Sequence, residues 1–452
     1  MSLRVALATR SRGPRLAYVI DVLCERYGWS WAYAAEAGGS SLGGGEPGGV
    51  RLVYGTGADG TSTAYGKREL RIVPATGWLD APGGSTGDAP DWGEFGGTPC
   101  PTGADPLAGA FFCLALLGEH GDRGVDRHGR LPAGTHPLYL RGLARVPIAD
   151  RLLEAVARGL WSAAGQTGAP AVLPEASAAT SDVDAPSALA HRPTVKRATA
   201  LVRGAAAALR HPRPDLGAAL GSLPDYLRGS DDPFDTFDYM HRAAARRGLR
   251  EDVFTLVGYG TRLDPGWPRG HDAWGRFWRK LDPDVRLGIH PSYRSSERPE
   301  LIAEEVAVLR EATDREIVTS RQHFLRLRIP DTFRALISCG IREDHSLMWA
   351  DAEGFRAGTA RSFRWYDVQR EEVTPLRLFP PHAMDVTARY YGGLSPKQAI
   401  ATWTALAAEA HASGTGLRCI WHNSNLGPWY GWLPWREAFE ASLDLSVIRE
   451  GT

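Results

Sequence analysis

The stretch ATSDVDAP, residues 179–186, sets two aspartates, Asp182 and Asp184, two positions apart between an Ala/Ser/Thr run and a proline. Asp and Ser build turns and cap helices by accepting hydrogen bonds from nearby backbone N–H groups. An Asp-rich turn is therefore the plain reading, and the mouth of an active site is the sharper one. Which applies depends on the partners that the rest of the chain can bring to it.

The chain has 452 residues, room for two or three domains or for a small domain beside a large one. With 43% hydrophobic and 23% charged residues it belongs to the globular class. Lys and Arg number 52, as do Asp and Glu, so no net field draws nucleic acid or an anionic membrane. Cys24, Cys100, Cys113, Cys339 and Cys419 are odd in number and scattered without a CxxC pair, which argues against a disulfide framework or a zinc knuckle. The N-terminal MSLRVALATRSRG has no signal-peptide core, and no run of roughly 18 apolar residues spans a membrane. The expectation is a cytoplasmic protein from a bacterial genome of high GC content, with no nucleic-acid partner; the oligomeric state stays open.

Hydrophobic periodicity orders the chain. LRVALAT predicts a strand and RLAYVIDVLCERYG a helix; GVRLVYG and LRIVPA are further strands. Residues 80–105 are rich in Gly, Pro and Asp and read as loop. DPLAGAFFCLALLGEHG and IADRLLEAVARGLWSAAG are apolar helices, followed by the Pro/Ala/Ser-rich connector QTGAPAVLPEASAA. That composition shift sets the expected boundary between a domain 1–170 and a domain 171–452. Beyond it, TVKRATALVRGAAAALR, DTFDYMHRAAARRG, PELIAEEVAVLREATD and PDTFRALISCG read as helices. VFTLVGYG, VRLGIHPSY, IVTSRQHFLR and LRCIWHNSNL read as strands. Strands alternating with helices indicate a parallel α/β layout, plausibly a barrel.

In such folds ligands bind at the carboxyl ends of strands. The polar residues expected at those ends are Asp182, Asp184, His290, His323, Arg356, Asp385 and His422. One histidine there is ordinarily a core or surface residue; several together are harder to dismiss. Asp with two His is a reasonable ligand set for a divalent ion such as zinc. The remaining Asp, His and Arg could supply a base, an acid and an orienting charge.

TSDVD, GIHPSYRS, TSRQHFLR, GFRAGT and IWHN, in this order and spacing, resemble the polysaccharide deacetylases, carbohydrate esterase family four with NodB homology. DPLAGAFFCLALLGEHGDRGVDRHGRLPA is similar to the N-terminal domain of one branch of that family. The resemblance covers most of the chain from about residue 105. It implies a distorted (β/α) barrel of the polysaccharide deacetylase type, preceded by a smaller α/β N-terminal accessory domain. It also implies metal-dependent removal of an acetyl or similar acyl group from an amino sugar or glycan. By resemblance Asp182 is the base, Asp184 and His290 are metal ligands, Arg356 holds the base, Asp385 tunes the acid and His422 is the acid. The family's second motif carries two histidines four apart, but Arg294 stands at the second position here. His323, at the next strand end, is expected to replace it. The cofactor expected is a divalent metal, zinc first, with nickel, cobalt or manganese as alternatives.

An amide is a poor electrophile, and a bound cation both acidifies water, from a pKa of about 15.7 toward 7, and polarises the carbonyl. Asp182 would then take a proton and His422 return one to the departing nitrogen. Trp421, Trp429, Trp432 and Trp435 could offer a sugar platform or simply pack a C-terminal helix. His345 is expected in a solvent-facing loop or at the cleft, and His128 at a structural junction. Two other readings stay open: a deacetylase-like protein that binds a glycan or partner without turnover, suggested by the incomplete histidine pair, and an amide hydrolase of small-molecule biosynthesis.

Overall fold

The computed structural model describes residues 2–10, 12–34, 49–55, 64–66, 68–74, 79, 92–120, 123–188, 232–258, 261–268 and 270–448. The helix expected over TVKRATALVRGAAAALR lies outside them. The chain divides into two compact units. The first is Met1–Gly124 with Gly134–Glu175 and Phe355–Pro375; the second is Val125–Ala133 with Ala176–Gly354 and Leu376–Thr452.

In the first unit the alternation of Leu3, Val5 and Leu7 buries one face of strand β1, Arg4–Thr9. Strands β2 (Ser30–Tyr33), β3 (Gly49–Tyr54), β4 (Ala64–Gly66) and β5 (Glu69–Ile72) complete a sheet in the order β2-β1-β3-β5-β4. It is parallel except for β4. Helix Pro14–Tyr27 stops at Gly28, whose φ of 64° is the left-handed turn that glycine makes without strain. Strands β6 (Gly93–Phe95) and β7 (Thr98–Cys100) form a hairpin. Helix Pro106–Leu114 begins where Asp105 accepts hydrogen bonds from the amides of Leu107 and Ala108. It is buried throughout and is followed by the amphipathic helix Ile148–Ala163.

The second sheet gives the mixed α/β architecture its character. Its strands are β8 (Ala178–Val183), β9 (Arg250–Thr255), β10 (Arg286–Ile289), β11 (Thr319–Ser320), β12 (Glu343–Asp344), β13 (Phe363–Asp367), β14 (Glu372–Leu378), β15 (Ala383–Met384) and β16 (Cys419–His422). They run in the order β13-β14-β12-β11-β10-β9-β8-β16-β15. The sheet curls into a half-barrel with two edges, not a closed ring. Strands β8 to β12 follow one another in parallel, with helices Phe237–Ala245, Asp272–Lys280, Glu300–Thr313 and Asp331–Ser338 among their connections. Strand β8 is almost wholly buried, as a central parallel strand should be.

Register then places the polar residues. Asp182 on β8 lies opposite Phe254 on one neighbour and His422 on the other. Ile289 lies opposite Ser320, so the residues that follow, His290 and Arg321, emerge side by side at the carboxyl end. Gly288 is required for close approach: a Cβ there would lie 2.6 Å from the Phe254 ring and 2.9 Å from Thr319 Cγ2. Trp421, Trp429, Trp432 and Trp435 are all buried, so packing is their use, and they offer no ring face to a sugar. Trp421, for example, meets Trp403 and Phe439 edge to face.

Candidate metal centre and active site

Asp184, immediately beyond β8, stands with His290 and His323 so that one ligand atom of each lies within 4.8 Å of the others. Asp184 Oδ1 is 3.2 Å from His290 Nε2 and 3.4 Å from His323 Nε2. Neither contact has hydrogen-bond geometry, and this buried oxygen has no hydrogen-bond partner. The far sides of both rings explain why. His290 Nδ1 donates to the Arg321 carbonyl at 2.6 Å, and a carbonyl can only accept. His323 Nδ1 donates to Asp264 Oδ1 at 3.1 Å. Burial would raise the Asp264 carboxyl, but His323, Thr261 and the Tyr293 amide hold it below its usual value, so it too accepts. Each ring is thus held from behind through Nδ1 and turns Nε2 toward the same carboxylate oxygen.

That donor set fits a divalent cation. Without a cation the same geometry drives proton uptake. Burial would lower His323, yet Asp184 and Asp264 push it up to about 9. Burial would raise Asp184, yet His323, His290 and His422 hold it well below the ordinary carboxylate range.

Asp182, two residues back and so on the same strand face, turns Oδ2 toward His290 Nε2 at 3.9 Å. Its Oδ1 accepts from Arg321 Nη1 at 2.7 Å. Arg321 is nearly solvent-free; it also donates to Thr180 Oγ1 and the His345 carbonyl and lies 4.3 Å over the Phe254 ring. The arginine expected at Asp182 was Arg356, and this is corrected: Arg356 makes a two-pronged pair with Glu119, 2.7 and 2.6 Å, inside the first unit. Arg321 was legible in principle. It precedes His323 by two residues, and in an extended segment that spacing shares a face.

On the other side of Asp182, His422 Nδ1 lies 2.9 Å from Asp385 Oδ1, leaving Nε2 4.0 Å from Asp184 Oδ2. Asp385 is fully buried; it accepts from the His422 and Val386 amides and from Asn425 Nδ2. Burial would lower His422, but Asp385, with Asp184 and Asp182 behind it, pushes it up to about 10. Six of the seven strand-end residues, Asp182, Asp184, His290, His323, Asp385 and His422, thus meet, and five of them line one cavity.

Asp264 and Asn425 gave no sequence signal: one sits in a loop far from its histidine in the chain, the other after the last strand. His345 is neither in solvent nor on the cavity. It is buried and stacked 4.9 Å from Phe379, where burial pulls its pKa down to about 4. His128 belongs to the segment Val125–Ala133 of the second unit and reaches the Tyr293 hydroxyl at 3.0 Å. In the same segment Arg130 donates to the Phe324 carbonyl and the Tyr391 hydroxyl and pairs with Asp126 at 2.6 Å.

No family model matches the chain, and no curated protein matches it. Among solved structures, one described as "putative polysaccharide deacetylase from Mycobacterium smegmatis" aligns with a TM-score of 0.37 at 14% identity, over 62% of this chain and 87% of that one. No helix of the described residues is long and apolar enough to cross a membrane.

Proposed function

We propose that the protein is a metal-dependent amide hydrolase that removes an acyl group from an amino sugar or a related acylated amine. One observation carries the reading: two imidazole Nε2 atoms and an orphaned carboxylate oxygen converge beside Asp182 and His422. Asp184, His290 and His323 would hold the ion, zinc by preference. A cation bound there supplies an acidified water and a polarised carbonyl. Asp182, oriented by Arg321, takes a proton from the attacking water. His422, kept charged by Asp385, gives a proton to the departing nitrogen, which leaves as the neutral amine. His323 makes good the histidine that Arg294 displaces from the usual pair, which favours turnover over a binding-only role. The amino-sugar part of the reading rests on the sequence motifs.

Metal analysis of single variants tests it. His290→Ala and His323→Ala should each lose most bound zinc. Asp182→Asn should keep the metal and lose about 10²–10⁴ in rate on acylated amines. Full metal occupancy in His323→Ala, or Asp182→Asn turnover close to the parent, would sink the assignment.

A further inference from the structure

Resting on that reading, we infer that the substrate carries an apolar substituent beside the scissile amide. The cavity over the candidate ligands measures about 230 Å³, many times the roughly 10–15 Å³ that one water-sized group needs. An acetyl methyl leaves most of it unfilled. Beyond the candidate catalytic groups its wall includes Leu325, Ala350, Met384 and Val386. Leu325, Ala350 and Met384 belong to one buried cluster with Met348 and Ile420, and Val386 packs against it. The wall is therefore the face of a built core.

The backbone is strained to present that wall. Phe324 and Leu325, directly after His323, both have positive φ, 60° and 55°, a region that side-chain-bearing residues rarely enter. Arg130 Nη1 holds the turn through the Phe324 carbonyl at 3.3 Å.

Two polar side chains of the lining, Arg130 and Asn425, are engaged by the protein itself. Arg130 gives its donors to Asp126, the Phe324 carbonyl and the Tyr391 hydroxyl. Asn425 donates to Asp385 and accepts from Ser424. Among these lining residues Gln322 Nε2 is the buried donor with no partner. A sugar ring seated against this wall would strand several hydroxyls, which is unfavourable without compensating bonds. A hydrocarbon group strands none and buries apolar surface. The shared chemistry is an alkyl or aryl group of several carbons, carried on the acyl side or the amine side of the amide.

The test uses the full-length, zinc-loaded protein and two substrate series. In one, the N-acyl group of glucosamine grows from acetyl through butanoyl to hexanoyl. In the other, acetamides of methylamine, butylamine and hexylamine keep the acyl group fixed. The expected result is a rise in kcat/KM of at least about tenfold along one series, since each methylene in an apolar pocket is worth roughly tenfold or more. The series that rises identifies the side. Ala350→Leu should cut that long-to-short ratio at least fivefold. Should that variant not fold, tighter product inhibition of the parent enzyme by hexanoate than by acetate, or by hexylamine than by methylamine, supports the same conclusion. Flat or falling kcat/KM in both series, with acetyl compounds turned over, overturns the apolar-substituent inference alone. No hydrolysis of either series by metal-loaded protein overturns the hydrolase reading beneath it.

Discussion

Arg321 Nη1 lies 2.7 Å from Asp182 Oδ1, with both side chains almost fully excluded from water. Removing one member of such a pair leaves an uncompensated buried charge, which typically costs about 3–5 kcal/mol. Arg321→Ala should lower the unfolding midpoint sharply. Arg321→Lys keeps the charge but cannot span Asp182, Thr180 and the His345 carbonyl together. It should fold, retain zinc through the unchanged backbone contact to His290, and lose at least tenfold in kcat. Parent-like kcat in Arg321→Lys would show that this arginine is only structural.

Asp264 touches the site through one ring nitrogen. Its carboxylate fixes which nitrogen of His323 carries the proton. Outer partners of this kind usually contribute about 10–100-fold in metal affinity. Asp264→Asn should weaken zinc binding by that order in a competition titration with a chelator, with all three ligands still present. Unchanged affinity would mean that another group orients His323.

The pH profile should report on Asp385. A general acid works only while protonated, so the rate falls as pH rises through the pKa of His422. With that pKa pushed up to about 10, the alkaline fall in the parent lies well above neutrality. A cation on Asp184 would offset that carboxylate's share, which leaves Asp385 as the main support. Asp385→Asn removes an adjacent opposite charge, an effect of about 1–3 units. The alkaline limb of kcat/KM should shift to lower pH by that amount, while zinc content holds. A limb that stays in place would remove His422 as the acid.

Gly288 sits beneath this machinery. A methyl there meets the Phe254 ring, on which the Arg321 guanidinium rests. Gly288→Ala should destabilise the fold by about 1–3 kcal/mol through overpacking. It should also reduce kcat by displacing Arg321 from Asp182. Urea midpoints and steady-state rates measured on the same preparation check both. An unchanged midpoint with unchanged kcat would show that Phe254 can yield.

Two of the central parallel strands were legible because their apolar runs end in punctuating polar residues, LGIH at His290 and CIWH at His422; Ala178–Val183, made of Ala, Thr, Ser, Asp and Val, reads as connector and turn. Those two histidines could be gathered for the same reason. The two-residue strands Thr319–Ser320, Glu343–Asp344 and Ala383–Met384 are too short for any period, and helix Pro396–Ala412 went unread. IVTSRQHFLR reads as a strand through His323, yet only Thr319–Ser320 pair; the chain then turns through left-handed Phe324 and Leu325. Arg356 and Arg321 are equally cationic, but Arg321 directly follows Thr319–Ser320 whereas Arg356 lies in the turns between Glu343–Asp344 and Phe363–Asp367. Charge alone does not tell which one faces Asp182; the two-residue spacing of Arg321 from His323 is the sequence signal that does.

The allotment of Val125–Ala133 to the second unit bears on how the molecule can be dissected. Arg130, which grips the turn after His323, precedes β8 in the chain by the whole of Gly134–Glu175. A shortened gene opening at Ala176 would encode Asp182, Asp184, His290, His323 and His422 and still leave Phe324 without its guanidinium clasp. Inactivity of such a fragment would reflect the lost clasp and would not count against the proposed hydrolase. A minimal version that keeps this turn clasped has to carry the nine residues Val125–Ala133 along, spliced or supplied as a separate peptide.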